Sequence, residues 1–175
     1  MRTAMMCVIG LFLSSKTVWI DSETGREGAA ADLLDGRGET IGHATFSQLH
    51  EGVRIRVVIS DLPPGIHAML IHGVAKGHGA DFASAGAHFN PFGKRHGVRS
   101  FNGPHAGDLP NLTVREDGTA EVEVTSLLLT LKPGRNSLLP SGKTCLVIHE
   151  QADDEVTDPT GNSGVPIAGG LIVKR

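Results

Sequence analysis

His88, His96, His105 and Asp108 fall within 21 residues of one another in a glycine-rich stretch. Three imidazoles and one carboxylate supply the donors of a tetrahedral zinc ion. Their spacing, with seven, eight and two residues between them, is that of a loop. Asp108 follows His105 closely enough for both to reach one ion from a single turn. Ligation would also order a stretch too poor in apolar residues to order itself. The alternative is a solvated loop with scattered histidines. Two further histidines close apolar runs: His72 ends Ile66–His72 and His149 ends Thr144–His149. Taken singly, each is more often a hydrogen-bonded or solvated side chain than a ligand.

The elements that must position these residues are β-strands. With 175 residues and a mass of 18.4 kDa, the chain is long enough for one domain with a hydrophobic core. Its 23 glycines and 9 prolines punctuate short apolar runs. Val53–Ser60 alternates with period two, as a half-buried strand does. Asp35-Gly36 and Glu116-Asp117-Gly118 are hairpin signals. Strands are expected over 31–34, 39–46, 53–60, 66–72, 112–115, 119–124, 126–131, 144–149 and 170–174. The fold class is therefore all-β, an antiparallel sandwich or barrel. Two long stretches, 73–110 and 150–168, lack either periodicity, and most of the histidines sit in or beside them. A net charge of −3 leaves no cationic excess for nucleic acid.

At the N-terminus, Arg2 precedes an apolar run from Ala4 to Leu13, the pattern of a short signal peptide and too short to span a bilayer. Residues 1–30 are expected to be signal and lead-in, residues 31–175 the domain, and the location periplasmic or extracellular. No membrane span is expected in the mature domain. Cys7 falls in the signal, leaving Cys145 as a small buried core residue without a disulfide partner.

Several segments in continuous order resemble the copper/zinc superoxide dismutase family. They are Gly65-Ile66-His67-Ala68-Met69-Leu70-Ile71-His72, Ser84-Ala85-Gly86-Ala87-His88-Phe89-Asn90-Pro91, and Gly103-Pro104-His105-Ala106-Gly107-Asp108-Leu109-Pro110-Asn111-Leu112. Leu146-Val147-Ile148-His149-Glu150 with Asp153-Asp154, and Thr160-Gly161-Asn162-Ser163-Gly164, complete the match over roughly residues 31–173. The resemblance implies an eight-stranded Greek-key β-barrel with two long loops. It implies zinc at His88, His96, His105 and Asp108, and copper at His72, His88 and His149, with His88 bridging the two metals. Asp153 matches the carboxylate that links the two sites through hydrogen bonds. The resemblance also implies superoxide as the partner molecule and admits a homodimer.

The family pattern breaks at four places. Its copper strand carries two histidines on one face, two residues apart; here the first is Leu70 and the second His72. His67 has the opposite parity and matches a structural, hydrogen-bonding histidine. The family's active-site arginine falls on Pro166, so attraction of the superoxide anion should weaken. The family's disulfide positions fall on Gly77 and Gly169, which leaves zinc as the main fastener of residues 73–110. Cu(II) favours four nitrogens in a tetragonal array, and one is missing. The resemblance thus implies a metal-binding protein with a complete zinc set and weak or lost dismutation. The alternative is a working dismutase that converts superoxide to oxygen and hydrogen peroxide. Zinc hydrolysis is disfavoured, because three histidines and an aspartate leave no vacant coordination position. His43, His50 and His78 carry no metal role.

Overall fold

The computed structural model describes residues 28–73, 85–139 and 144–175. The expected signal segment, Gly77 and His78 lie outside the described residues. Among the described residues there are strands, turns and no helix. The strands are β1 (Gly28–Asp35), β2 (Thr40–Gln48), β3 (Val53–Ile59), β4 (Gly65–His67), β5 (Met69–Gly73), β6 (Leu112–Val114), β7 (Ala120–Ser126), β8 (Thr144–His149), β9 (Pro166–Leu171) and β10 (Val173–Lys174).

The sheet runs β5-β8-β9-β1-β2-β3-β7, all antiparallel, with β10 on β1. A short ribbon, β4-β6, joins its two edges: β4 leads into β5 through Ala68, and β6 turns into β7 at Arg115–Thr119. The curled sheet closes around one core, to which β3 contributes Val53, Ile55, Val57 and Ile59 while Arg54 and Arg56 face solvent. Both hairpin signals form turns held by an aspartate: Asp35 accepts the Arg37 and Glu39 amides, and Asp117 accepts that of Thr119.

Two expectations change. The run 66–72 is not one strand. It divides at Ala68, with β4 pairing β6 and β5 pairing β8, because the chain leaves the ribbon for the main sheet there. Residues 126–131 are not a strand beyond Ser126. Leu129, Leu131 and Leu138 instead plug the core from a loop. Buried Gln48 replaces the missing ladder, accepting the Leu131 amide at 2.6 Å and the Thr130 hydroxyl at 3.0 Å. Apolar residues inside a loop mimic strand alternation, so the pattern alone misleads.

β8 is buried along its whole length. Leu146 and Ile148 enter the main core, and Cys145 and Val147 pack with Ala85 on the opposite face, with Leu171 against them. That second face carries the metal-type residues. On β5, Met69 and Ile71 point into the core, so Leu70 and His72 share the outer face.

Candidate metal centre

The edge of β5 not used by β8 receives the long loop. Gly73 donates to the Ala87 carbonyl, Phe89 to Ile71, Ile71 to Gly107, and Gly107 to Phe89, at 2.8–3.0 Å. Segments 87–89 and 106–108 are thereby laid along the strand, bringing His88 beside His72 and Asp108 beside Leu70. The edge strand's spare backbone groups thus fix residues that sequence places far apart.

His88, His96, His105 and Asp108 come together, all buried, with one ligand atom each within 4.8 Å of the others. Asp108 Oδ1 lies 3.2, 3.1 and 3.3 Å from the Nδ1 atoms of His88, His96 and His105. Asp108 Oδ2 accepts the backbone amides of Gly97 and His105, each at 2.9 Å. The partners of the ring nitrogens show what the cluster is built for. His96 Nε2 is held by Asp153 Oδ1 at 2.8 Å, which aims its other nitrogen, Nδ1, at the cluster, 3.1 Å from Asp108 Oδ1. His105 Nδ1 is buried with no hydrogen-bond partner. Three imidazole nitrogens converging on one carboxylate oxygen, one of them buried without a partner, make a costly arrangement unless a cation sits among them. The four residues therefore fit a metal ion.

Asp153 ties this cluster to the second long loop. Its own amide and carbonyl are clamped by Asn111, at 2.8 and 2.9 Å. The His96 amide donates to Asp158 at 2.7 Å, and the Arg99 amide to the Glu155 carbonyl at 3.2 Å. Asn111 and Asp158 were not assigned from sequence. Asn111 stood inside a quoted motif, but an asparagine announces no chemistry until its partner is known.

His72 and His149 meet on the other side of His88. Their Nε2 atoms are 3.2 Å apart, and the His72 and His88 ring centroids are 4.9 Å apart. His72 Nδ1–H donates to the Gly86 carbonyl at 2.9 Å, and His149 Nδ1–H to that of Gly164 at 3.0 Å. Leu70, fully buried, occupies the same outer face of β5, opposite Val147. Pro166 pairs with His149 at a bulge of β9. His67 takes no part: its two nitrogens lie 2.9 Å from the carbonyl oxygens of His149 and Pro63. His43 and His50 are exposed, and His43 rests 3.0 Å from Asp32. Gly169 lies within β9, and Cys145 is a buried free cysteine whose thiol burial pushes up to about 11.

Burial, and then the neighbouring rings against a bond to the Gly86 carbonyl, lowers the His72 pKa to about 4. Burial is also the leading cause that lowers His105 and His149. Each of these rings protonates more readily in the unfolded chain, so its stabilisation is complete above the ordinary histidine value and is lost as pH falls below it. For His72 the loss runs down to about pH 4 and amounts to about 3 kcal/mol. Asp108 adds to the loss at still lower pH: burial opposes its ionisation, but bonds from His88 and Gly97 win and hold it below the usual carboxylate range. The urea midpoint of metal-free protein is therefore expected to fall steadily from pH 7 to pH 4, and His72→Ala should flatten the slope. A flat profile would contradict the lowered values of these rings.

The family described as copper/zinc superoxide dismutase matches residues 40–172. The chain is 45% identical over 144 residues to a Cu-Zn superoxide dismutase 1 of Aquifex aeolicus, covering 81% of this chain and 85% of that one. It is 37% identical over 155 residues to a superoxide dismutase-like protein of Bacillus subtilis, covering 86% and 79%. The crystal structure of a superoxide dismutase-like protein from Bacillus subtilis superposes with a TM-score of 0.78 at 35% identity, over 82% of this chain and 97% of that one.

Proposed function

Because the chain belongs to the copper/zinc superoxide dismutase family, we propose that it is a zinc-stabilised member whose copper pocket is one imidazole short and whose dismutation is weak or lost. The observation that carries this reading is Leu70, buried on the face that His72 uses and unable to donate to a metal. Zinc suits the three-nitrogen, one-oxygen donor set of His88, His96, His105 and Asp108. His72, His88 and His149 would hold copper, which when bound supplies the one-electron exchange with superoxide. The chain's own residues do the rest. The Gly86 and Gly164 carbonyls orient the two terminal rings, Asp153 holds His96, and Leu70 and Val147 keep water from the pocket. Pro166 beside His149 brings no cation to attract an anion. The apolar run Ala4–Leu13 supports export to the periplasm or outside the cell.

The reading is tested by loading the protein with zinc and copper, measuring metal content, and following superoxide loss. Stoichiometric zinc with little copper-dependent turnover is expected. The double variant Leu70→His, Pro166→Arg should raise turnover at least about tenfold, since field effects alone are worth that much. Rapid turnover by the unaltered protein would instead establish the active-dismutase alternative.

A further inference from the structure

The His72–His149 pair has a feature that a missing ligand does not explain. Both Nδ1 atoms are committed as N–H donors, to the Gly86 and Gly164 carbonyls. Each ring therefore turns its Nε2 toward the other, and the two nitrogens lie 3.2 Å apart. Two imidazole nitrogens brought together in a buried site, each ring held from behind by a backbone carbonyl, form the donors of a cation site.

Which cation follows from the walls. The rings of His72 and His88 meet edge to face, so His88 flanks the pair as a third imidazole. The same face is otherwise largely apolar: Leu70 is fully buried, Val147 lies opposite it and packs with Cys145, Ala85 and Leu171, and the one further polar side chain at the pair, among the described residues, is the buried Ser163 hydroxyl, 3.3 Å from His149 Nδ1. The carboxylates of Asp108 and Asp153 are spent on the other cluster, accepting from the Gly97 and His105 amides and from His96. The pocket thus offers two or three imidazole nitrogens and no carboxylate of its own. A divalent ion loses far more hydration energy than a monovalent one on entering such a site, because the cost grows with the square of the charge. Cu(II) also needs four donors in a tetragonal array, a demand that a filled d shell does not make.

We propose, resting on the metal-binding reading above, that the His72–His88–His149 pocket is a cuprous site that holds Cu(I) and discriminates against Cu(II). Copper so held is stored or handed on in one valence state.

The test uses zinc-loaded protein without oxygen. Cu(I) is offered as its bicinchoninate complex, and Cu(II) as its glycine complex in a separate titration. The protein should withdraw one equivalent of Cu(I) and give no Cu(II) electron paramagnetic resonance signal. His72→Ala and His149→Ala should each abolish the withdrawal while leaving zinc content unchanged. Leu70→His should tighten Cu(II) binding about 100-fold or more, with a tetragonal signal, and change Cu(I) affinity less than about tenfold. Cu(II) bound by the unaltered protein as tightly as by Leu70→His overturns the proposal. So does Cu(I) withdrawn no better than by His72→Ala, a comparison that stands even where Leu70→His fails to fold. Zinc measured on the same samples separates the two readings: zinc without Cu(I) uptake overturns only the cuprous site, and absence of zinc overturns the parent reading.

Discussion

Asp108→Ala is expected to abolish zinc binding and to lower stability by about 2–6 kcal/mol, the cost of orphaning two buried amides. Those amides belong to Gly97 and His105, and both end on Asp108 Oδ2. In a domain of this size the loss corresponds to a fall of roughly 10 °C in Tm. Metal linkage adds to it. At a thousandfold excess over its dissociation constant, a bound ion stabilises the native state by about 4 kcal/mol, and the variant forfeits this. Unfolding measured with and without EDTA checks both parts: the unaltered protein should respond to the chelator and Asp108→Ala should not.

Asp108→Asn separates ligation from hydrogen bonding. Its amide oxygen can still accept from Gly97 and His105. Its NH2 group, in place of Asp108 Oδ1, can no longer accept from His88 Nδ1. Metal-free Asp108→Asn should therefore be more stable than metal-free Asp108→Ala, yet bind no zinc. If it unfolds as easily as Asp108→Ala, the two amides on Oδ2 are not what Asp108 contributes to the fold.

Gly161→Ala is expected to cost about 10–100-fold in zinc affinity although Gly161 donates nothing to the metal. Gly161 adopts φ +64°, and a Cβ there would overlap Asp153 Oδ1 and stand 2.5 Å from His96 Nε2. Neither side chain can retreat, since the His96 and Asp153 side chains are 0% and 3% exposed. The bond between them must break, and His96 then loses the partner that fixes its tautomer. Gly93→Ala is the control. Its φ is +63°, and nothing lies within 4 Å of the Cβ it would gain. It should suffer only the left-handed backbone penalty, about 1–2 kcal/mol, with zinc affinity unchanged. Equal zinc affinities for the two variants would show that the Asp153–His96 bond does not support the metal site.

Residue types and parity made much of this legible in the sequence. Val53–Ile59 alternates because one face meets the core and the other meets water, so its strand could be read directly. The four zinc-type residues were legible as a donor set by type and spacing, and the family resemblance favoured that set over scattered histidines on a solvated loop. Parity alone put Leu70 on the face of His72, and the pairing of β5 with β8 keeps it there. Strand β8 was legible only as an apolar run, since burial on both faces erases alternation. Leu129 and Leu131 of the plug read as part of a strand because local pattern cannot distinguish apolar side chains in a ladder from apolar side chains on a loop.

The sequence by itself determined the donor types, their order along the chain and the shared face of Leu70 and His72, because these depend on composition and on the period of a strand; that a histidine is expected at Leu70 is what the family resemblance implies. Only the tertiary structure decided which group each ring nitrogen faces. The docking of residues 87–89 and 106–108 on β5, the Gly86 and Gly164 carbonyls, Asn111 beneath Asp153 and the bare backbone of Gly161 all arise from contacts between segments distant in sequence. A ring nitrogen is a donor or an acceptor according to the group that faces it, and that group is chosen by packing.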